Sequence, residues 1–296
     1  MGVTPSPAVV RASELLYELA SQPTQCFTVS ELARKLGIPR ATCDTVLRGL
    51  TDGGLVRRDD GLRYQLSPGC IALGDAARNA NLALRAANAH AEQLAHEKSS
   101  VTAVSIRDRH STRVSDVFDF GPPLGLRARV GAAMPLVPPF GSTFVAWDAE
   151  FEGEEWLERA QPALTPSEKD RYRAALAEIR QRGFSVTLVT ERQPRLIASL
   201  ERVAAEPRSD TYFDRDQVAQ QMTQSEYLLG AIEADRLVRV AQVSAPVFQG
   251  NGVVAASIML LGPTQEVTAD EVWELGAQVA GAAAAASRGV SGAADR

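Results

Sequence analysis

The sequence predicts a mixed fold of two domains, in which a small domain of short helices and one β-hairpin precedes a larger α+β domain with an antiparallel sheet. The first observation is the length, because 296 residues exceed what a single hydrophobic core usually fills. The second is a pair of short amphipathic helices, joined at Gly37 and followed by a hairpin over residues 55–66. The third is a set of alternating apolar runs after residue 97, flanked by helical segments, which is typical of an antiparallel sheet with helices beside it.

The helix pair lies within residues 28–50, TVSELARKLGIPRATCDTVLRGL. Thr28 and Glu31 have the spacing of a capping box, in which each side chain binds the backbone amide of the other residue. Gly37 is suited to end the first helix, because glycine enters the left-handed conformation without a steric cost. Pro39 then starts a second helix, which buries one face and leaves small and basic residues outside. A helix of this kind is what the major groove of DNA admits.

The hairpin that follows is basic. Residues 55–58 and 62–66 form two short apolar and basic runs around an Asp-Gly turn, which is a hairpin signal. A helix pair followed by such a hairpin predicts a winged helix-turn-helix over residues 1–68, with Arg57, Arg58 and Arg63 bound to phosphates. The predicted DNA-binding residues are Thr28, Ser30, Arg40, Ala41, Thr42, Asp44, Thr45, Arg48, Arg57, Arg58, Arg63 and Tyr64.

Composition sets limits on the class of protein. The net charge is −5, but residues 1–68 contain eight Lys/Arg and seven Asp/Glu residues, a local charge of +1 that predicts weak non-specific DNA binding by a monomer. Cys26, Cys43 and Cys70 form no CxxC pair, which argues against disulfides and a structural zinc site, and we expect neither a metal nor a cofactor. No apolar run reaches 18 residues and no signal peptide is evident, so we expect a cytoplasmic protein without membrane contact.

The rest of the chain divides into three segments. Apolar spacing predicts a connecting helix over residues 69–96, followed by the second domain over residues 97–288 and a flexible tail over residues 289–296. Residues 121–139, rich in glycine and proline, are expected to form a loop. Strands are expected at residues 101–107, 112–120, 184–190, 239–248 and 253–261, and helices near 141–149 and at 165–182, 194–206 and 268–287.

Residues 8–74 resemble the DNA-binding domain of the IclR family of bacterial transcriptional regulators, through RASELLYELA, FTVSELARKLGIPRATCDTVLRGLTDGGLVRRD and RYQLSPGCIALG. Two later phrases are similar to the family's C-terminal domain, RVGAAMPLVPPFGSTFVAW and VSAPVFQGNGVVAASIMLLGP. The resemblance implies a GAF-like effector-binding and oligomerisation domain over residues 97–288. It also implies a homodimer or homotetramer that binds a palindromic operator in double-stranded DNA and responds to a small molecule. Residues 191–225 are longer than the family's usual connection.

The chain departs from the family pattern at Asp44 and Thr45, where the family usually has an aromatic residue or histidine followed by arginine. A carboxylate facing DNA is repelled by phosphates but accepts a hydrogen bond from the cytosine amino group, so Asp44 is expected to discriminate between bases rather than to add affinity. The alternative is that Asp44 caps a neighbouring arginine and reaches no base.

The predicted effector-binding residues are aligned with those of family members that sense small carboxylates. Phe140, Met259 and Leu261 stand where those members have small or hydroxylated residues, so a carboxylate there would find few hydrogen-bond partners. We therefore expect a hydrophobic or aromatic effector, with Gln242 and Ser142 orienting one polar group. The alternative is that these side chains fill the cavity and the domain serves only oligomerisation. The full predicted set is Phe140, Gly141, Ser142, Thr143, Gln242, Ser244, Met259 and Leu261.

The sequence gives no support for catalysis. The motifs GxSxG, HExxH and GxxxxGK[ST] do not occur. Ser142 follows Gly141 at a predicted helix start, where free amides could bind an anion, but no base for a nucleophilic serine is identifiable. We expect no enzymatic activity, and a small-molecule-binding enzyme is the less favoured alternative.

Overall fold

The computed structural model describes most of the chain, and its contacts divide the described residues into two compact units, one up to Ala80 and one from Asn81 onward. The described ranges are residues 6–22, 24–108, 111–121, 128, 130–148, 152–189, 228–234, 236–250, 252–263 and 265–294. The predicted helix at 194–206 and the whole of the long connection at 191–225 lie outside these residues.

The first unit contains the predicted helix pair and hairpin, and a further helix at its start completes a three-helix core. Its helices are α1 (Pro7–Ser21), α2 (Val29–Leu36), α3 (Arg40–Asp52) and α4 (Gly69–Ala80), and its strands are β1 (Val56–Arg58) and β2 (Tyr64–Leu66). Side chains from the first three helices and both strands form one buried core. The strands pair antiparallel, with Val56 opposite Leu66. The same buried core therefore packs against both the hairpin and α3.

A buried ion pair joins α1 and α2 in this unit. Lys35 Nζ lies 3.0 Å from Glu18 Oε1, without the geometry of a hydrogen bond, and the exposed fractions of the two side chains are 14% and 3%. The ammonium also lies 5.3 Å from the centroid of the Phe27 ring, within the range of a cation–π contact. Because both charges are largely removed from water, each depends on the other for its electrostatic compensation.

The single connecting helix predicted over residues 69–96 is two helices in the structure. Helix α4 ends at Ala80, and α5 (Leu82–Lys98) begins after Asn81, whose side-chain oxygen accepts a hydrogen bond from the backbone N–H of Leu84 at 3.0 Å. Asparagine is a favoured N-cap because its short side chain satisfies an otherwise unpaired amide. The break therefore has a local chemical cause, which the apolar spacing of the segment did not reveal.

The second unit is built on a six-stranded antiparallel sheet. Its strands are β3 (Val101–Asp108), β4 (Ser111–Asp119), β5 (Ala133–Pro135), β6 (Ser185–Leu188), β7 (Val240–Phe248) and β8 (Val254–Leu261). Their order across the sheet is β5-β4-β3-β8-β7-β6. The predicted α+β class is confirmed, although β5 forms within residues 121–139, where we expected only loop.

The two faces of this sheet carry different helices. Helix α5 and the last helix, α9 (Ala269–Ala294), pack on one face and form the larger core with the aliphatic residues of the strands. Helices α6 (Ser142–Val145), α7 (Glu154–Glu158) and α8 (Pro166–Arg182) belong to a second core, together with Val254 of β8 and the partly buried Phe248 of β7. Since side chains alternate along a strand, residues such as Gln242 and Ser244 turn away from α5 and α9 and toward this second face.

Helix α9 is longer than predicted and touches the sheet closely at one point. It continues to Ala294 through the residues expected to be a tail, and Val290 is buried in the core. Phe184 lies over Gly276, where an added Cβ atom would be 2.1 Å from Cζ of the ring. Trp273 meets the same ring edge-on, with centroids 5.5 Å apart. Gly276 thus leaves the space that the Phe184 ring occupies.

Candidate functional site

The capping box at the start of α2 forms as predicted. The hydroxyl of Thr28 accepts from the Glu31 N–H at 3.3 Å, and the Glu31 carboxylate accepts from the Thr28 N–H at 2.7 Å. These hydrogen bonds with Thr28 hold the pKa of Glu31 below its usual range. The turn after α2 is made by Gly37, whose φ of 63° is left-handed. Thr28 is therefore occupied in capping, while Ser30 beside it is exposed.

Helix α3 presents the predicted outer face. Its first turn follows Pro39, which is the N-cap rather than the first helical residue. Of the predicted DNA-binding residues on this helix, Arg40, Ala41, Thr45 and Arg48 are exposed and Thr42 and Asp44 are half-buried, while Cys43, Leu47 and Leu50 are buried in the core. Burial raises the pKa of the Cys43 thiol to about 11, in keeping with a core residue. Two arginines and small side chains thus share the outward surface.

An ion pair crosses this surface. Asp44 Oδ2 lies 2.8 Å from Arg48 Nη2 one helical turn further on, and the exposed fractions are 35% for Asp44 and 74% for Arg48. Pairs of this kind at exposed helical positions contribute only about 0.3–0.5 kcal/mol. The arrangement is the one expected if Asp44 caps a neighbouring arginine, and it is weak enough for DNA to compete for either partner.

The hairpin carries three exposed arginines, Arg57, Arg58 and Arg63. Its turn is closed by Asp59, whose backbone carbonyl accepts from the Leu62 N–H at 3.0 Å and whose side chain accepts from the Arg63 N–H at 2.8 Å. This arrangement leaves Leu62 exposed with a φ of 61°. The wing is thus a short, closed hairpin with two arginines on β1 and one immediately before β2.

The prediction for Tyr64 needs correction. Its side chain is only 2% exposed, and its backbone pairs with that of Phe27 through N–H···O bonds of 2.7 and 3.0 Å. The guanidinium of Arg58 lies 5.5 Å from the centroid of its ring. Because alternate residues of β2 face the core, the Tyr64 ring is turned inward and is not available to contact DNA. It packs against Arg58 instead.

In the second unit, the predicted effector residues come together on the sheet face opposite α5 and α9. Cross-strand pairing places these side chains next to one another on this face. Gln242 lies opposite Leu261, and Ser244 lies opposite Met259. Thr143 of α6 reaches the same face, because its hydroxyl is 2.8 Å from that of Ser244. The eight predicted residues, which lie far apart in the sequence, are therefore grouped around β7, β8 and the start of α6.

A second pair of hydroxyls ties α6 to the edge strand. Ser142 Oγ lies 3.0 Å from Ser185 Oγ on β6, and both side chains are buried. Together with the contact between Thr143 and Ser244, this pair satisfies four buried hydroxyls in two hydrogen bonds. The short helix is thereby fixed over β6 and β7, and these hydroxyls are already committed to one another.

Phe140 and Gly141 shape the entry to α6. Gly141 has a φ of 77°, and an added Cβ atom would lie 2.3 Å from Leu136 Cδ1, so a side chain does not fit there. The Phe140 ring is only 5% exposed, and its backbone carbonyl accepts from Trp156 Nε1 at 2.7 Å. Phe140 therefore fills space beside the sheet, whereas Gln242, Met259 and Leu261 remain partly exposed.

Sequence reasoning missed three hydroxyl residues on this face, namely Ser185, Thr187 and Ser257. Ser185 and Thr187 alternate with Val186 and Leu188, which lie in the core beneath α9. That alternation was present in the sequence and could have placed both hydroxyls on the opposite face. Among the described residues, Thr187 Oγ1 and Ser257 Oγ are buried without a hydrogen-bond partner.

Edge strand β6 is held by a partly buried arginine at the end of α8. The Arg182 guanidinium donates to the backbone carbonyls of Phe184 at 2.7 Å and Leu229 at 2.9 Å, and also to that of Gly230. Burial lowers the pKa of Arg182 to about 10, so the group stays protonated at neutral pH. Because Leu228 pairs with Thr187, this arginine fixes the segment that flanks the strand.

Neither a metal site nor a membrane helix was found in the parts of the chain that the structure describes. Across those ranges, no three His, Cys, Asp or Glu side chains lie close enough together to hold a metal ion. Helices long and apolar enough to cross a membrane are likewise absent from those ranges.

The first unit is a winged helix-turn-helix, and a domain built on a six-stranded antiparallel sheet follows it. Residues 8–60 match the model of the IclR helix-turn-helix domain, so the first unit is a DNA-binding domain of the IclR type. The resemblance of this region to the IclR family of transcriptional regulators is thereby confirmed. Among curated protein sequences, none matches the chain.

Solved structures extend the similarity to the fold of the chain. An IclR transcriptional regulator from Alicyclobacillus acidocaldarius is 23% identical, with 97% of this chain and 100% of that chain covered and a TM-score of 0.69. HmgR from Pseudomonas aeruginosa is 20% identical, with 96% and 98% covered and a TM-score of 0.63. An IclR homologue from Microbacterium hydrocarbonoxydans, solved with 4-hydroxybenzoate, is 17% identical, with 96% and 98% covered and a TM-score of 0.62.

Proposed function

We propose that the chain is an effector-responsive transcriptional regulator that binds a palindromic operator as a homodimer or homotetramer. The observation that carries the proposal is the exposed face of α3, where Arg40 and Arg48 stand beside small side chains, flanked by the arginines of the wing. A recognition helix reads base edges, and a basic wing holds phosphates. Since the first unit has a charge of only +1, two or more copies on one operator supply the affinity that a single copy lacks.

Selection from a random pool of DNA duplexes with the full chain tests the operator. We expect an inverted repeat whose half-sites are separated by about one helical turn or a multiple of it. Arg40→Ala should weaken binding to the selected duplex, while Arg180→Ala, which removes an equal charge from the exposed surface of α8, should not. A pool that enriches no sequence, or equal losses in the two variants, would overturn this part of the proposal.

The second unit is proposed to bind a small, hydrophobic or aromatic effector. Met259 and Leu261 are neighbours on the same face of β8. Both are half-buried, and neither side chain has a polar atom that could hold an anion. Gln242 lies beside Leu261 and supplies one polar group. The Microbacterium hydrocarbonoxydans homologue was solved in complex with 4-hydroxybenzoate, an aromatic carboxylate, which supports the aromatic ring of the proposed ligand but not the absence of a charge on it.

A thermal-shift panel tests the effector class. Aromatic and acyl compounds should raise the melting temperature, since a ligand at 100 times its Kd stabilises by about 2.7 kcal/mol, whereas glyoxylate and pyruvate should not. A compound that acts as the effector should also change the affinity for the selected duplex, because it must bind one assembly better than another. A clear response to small acids that survives Met259→Ser would contradict the apolar class.

The second candidate is a regulator whose second unit only assembles the oligomer. The observation that favours it is the close filling of the face around α6, where Phe140 is buried and four hydroxyls are mutually paired. In that case no compound in the panel should shift the melting temperature, and truncating the second unit should abolish assembly. Binding of any panel compound at the face would decide against this candidate.

A further inference from the structure

Thr187 on edge strand β6 is a buried polar residue whose hydroxyl is not satisfied by any residue that the structure describes. Its side chain is 5% exposed, and Oγ1 makes no hydrogen bond to any residue in the described ranges. A buried hydroxyl without a partner loses its bonds to water and gains nothing in return, and native proteins contain few of them. Such a group is either a cost that the fold tolerates or the partner of a molecule that binds there.

The neighbours of Thr187 show why it is unpaired. Ser185, two residues earlier on the same face, is satisfied by Ser142 of α6, and Ser244 across from Ser185 is satisfied by Thr143. Thr187 lies about 7 Å further along the strand, one row beyond these paired hydroxyls. The side chains of α6 therefore hydrogen-bond to Ser185 and Ser244, and they do not reach Thr187.

The residue opposite Thr187 is the polar member of the partly exposed face. Thr187 pairs with Gln242 on β7, and Gln242 in turn pairs with Leu261 on β8. Directly opposed side chains in an antiparallel pair have their Cβ atoms about 5 Å apart, so the Thr187 hydroxyl and the Gln242 carboxamide can bind one small group together. Met259 and Leu261 continue the face as apolar surface.

The strand that carries Thr187 is held in position from its outer side. Leu228 forms a bridge with Thr187, the Leu229 N–H donates to the Val186 carbonyl at 3.0 Å, and Arg182 binds the carbonyl of Leu229. A hydroxyl on a strand so fixed cannot move to find another partner without breaking these contacts. Its position relative to Gln242 on the neighbouring strand is therefore fixed.

We propose that Thr187 Oγ1 and the Gln242 carboxamide form the polar anchor for a phenol-type ligand, whose ring packs on Met259 and Leu261. The inference rests on the proposed effector role of the second unit and names the chemical class. A neutral phenolic hydroxyl fits because it accepts from the Thr187 hydroxyl and donates to Gln242 Oε1, so that all three groups are satisfied. Neither anchor residue carries a charge, so a carboxylate in this position would lack a cation to offset its desolvation.

The first test needs no ligand. Thr187→Val keeps the shape of the side chain and removes the unpaired hydroxyl, so the melting temperature of the free protein should stay unchanged or rise. Ser185→Ala on the same strand is the matched control: it leaves Ser142 Oγ without its partner and should lower the melting temperature by a few degrees. A loss in Thr187→Val equal to that in Ser185→Ala would show that the hydroxyl is paired within the protein and would overturn the inference.

The second test uses 4-methylphenol, toluene and benzoate as probes in calorimetric titrations of the full chain. The wild type should bind 4-methylphenol about tenfold more tightly than toluene, as expected for one well-placed hydrogen bond, and should bind benzoate more weakly than 4-methylphenol. Thr187→Val should bind 4-methylphenol and toluene about equally.

The outcomes separate this inference from the proposed function. If the wild type binds both aromatics but Thr187→Val keeps the preference for 4-methylphenol, or if benzoate binds most tightly, the anchor is refuted while an aromatic effector remains supported. If the wild type binds no aromatic probe, the effector role and the anchor fail together. A preference for 4-methylphenol that Thr187→Val abolishes, while Ser185→Ala retains it, supports the anchor.

Discussion

Replacing Asp44 by alanine tests how the outer face of α3 engages DNA. The substitution removes one negative charge from that face and releases Arg48, whose guanidinium is 2.8 Å from the Asp44 carboxylate and whose side chain is 74% exposed. Loss of an exposed pair of this spacing costs about 0.3–0.5 kcal/mol, so the first unit should remain folded. The change in DNA binding can then be attributed to the surface and not to unfolding.

The size of the effect follows from counterion release. If the released Arg48 contacts one more phosphate, the slope of log K against log salt concentration should steepen by about 0.9. The gain in non-specific affinity should therefore be about 3.5-fold larger at 50 mM salt than at 200 mM salt. Fluorescence anisotropy with a labelled duplex of random sequence, titrated at several salt concentrations, measures this slope directly.

Asp52→Ala is the matched control, because it removes the same charge from the last turn of the same helix, where Asp52 is exposed. If Asp52→Ala steepens the slope as much as Asp44→Ala, or if neither changes it, the idea that Asp44 restrains Arg48 is refuted. Selection from a random pool with the Asp44→Ala variant tests the base-reading role. A base preference relaxed by about 1–3 kcal/mol at one position supports contact with a base, whereas an unchanged consensus leaves Asp44 only the role of holding Arg48.

Three further outcomes are expected. Arg58→Ala should weaken specific and non-specific DNA binding alike and flatten the salt slope by about 0.9, and an unchanged slope would argue against its phosphate contact. Glu18→Ala leaves the charge of Lys35 in a largely buried place, so chemical denaturation should show the first unit destabilised by about 3 kcal/mol, which a loss within 0.5 kcal/mol would contradict. Hydrogen bonds with Thr28 lower the pKa of Glu31, so its contribution to stability is present above the ordinary glutamate pKa and is lost as pH falls through the lowered one. The difference in unfolding free energy between the wild type and Glu31→Gln should therefore disappear at low pH, and a difference that persists there would show that charge is not its source.

Helix boundaries with strong local chemistry were predictable from the sequence. Helix α8 ends at Arg182 before Gly183, as predicted, and it starts from a capping box between Thr165 and Glu168. In each case the signal involves residues no more than four positions apart, so no tertiary information is needed. The hairpins of both units were predictable for the same reason, since turn residues and alternation are local.

Elements that depend on distant partners were missed. Strand β5 exists because residues 133–135 pair with β4 about twenty positions earlier in the chain, and nothing in their own composition indicates a strand. The break at Asn81 was hidden because the apolar spacing of its flanking residues suits one continuous helix as well as two. The hydroxyl pairing between Ser142 and Ser185 joins residues 43 positions apart, so it became visible only with the fold.

The positions of the predicted DNA-binding arginines on α3 and the wing were predictable because these elements have clear local patterns. The one correction, Tyr64, follows from the alternation of β2, which turns that ring into the core. The effector face was predictable only as a set of aligned positions. Which of those residues remain available to a ligand depends on how α6 covers the sheet, and that is a property of packing that a sequence pattern does not contain.

The two central glycines of helix α9 should respond in opposite ways to the same methyl group. Gly281 is exposed with no atom within 4 Å of an added Cβ, so alanine there should stabilise the helix by up to about 1 kcal/mol. At Gly276 the same methyl would meet the Phe184 ring at 2.1 Å, and the gain in helix propensity cannot compensate for such a clash. Positions 184 and 276 are therefore linked as substitution sites, and a side chain at position 276 becomes acceptable only when the ring at position 184 is replaced by something smaller.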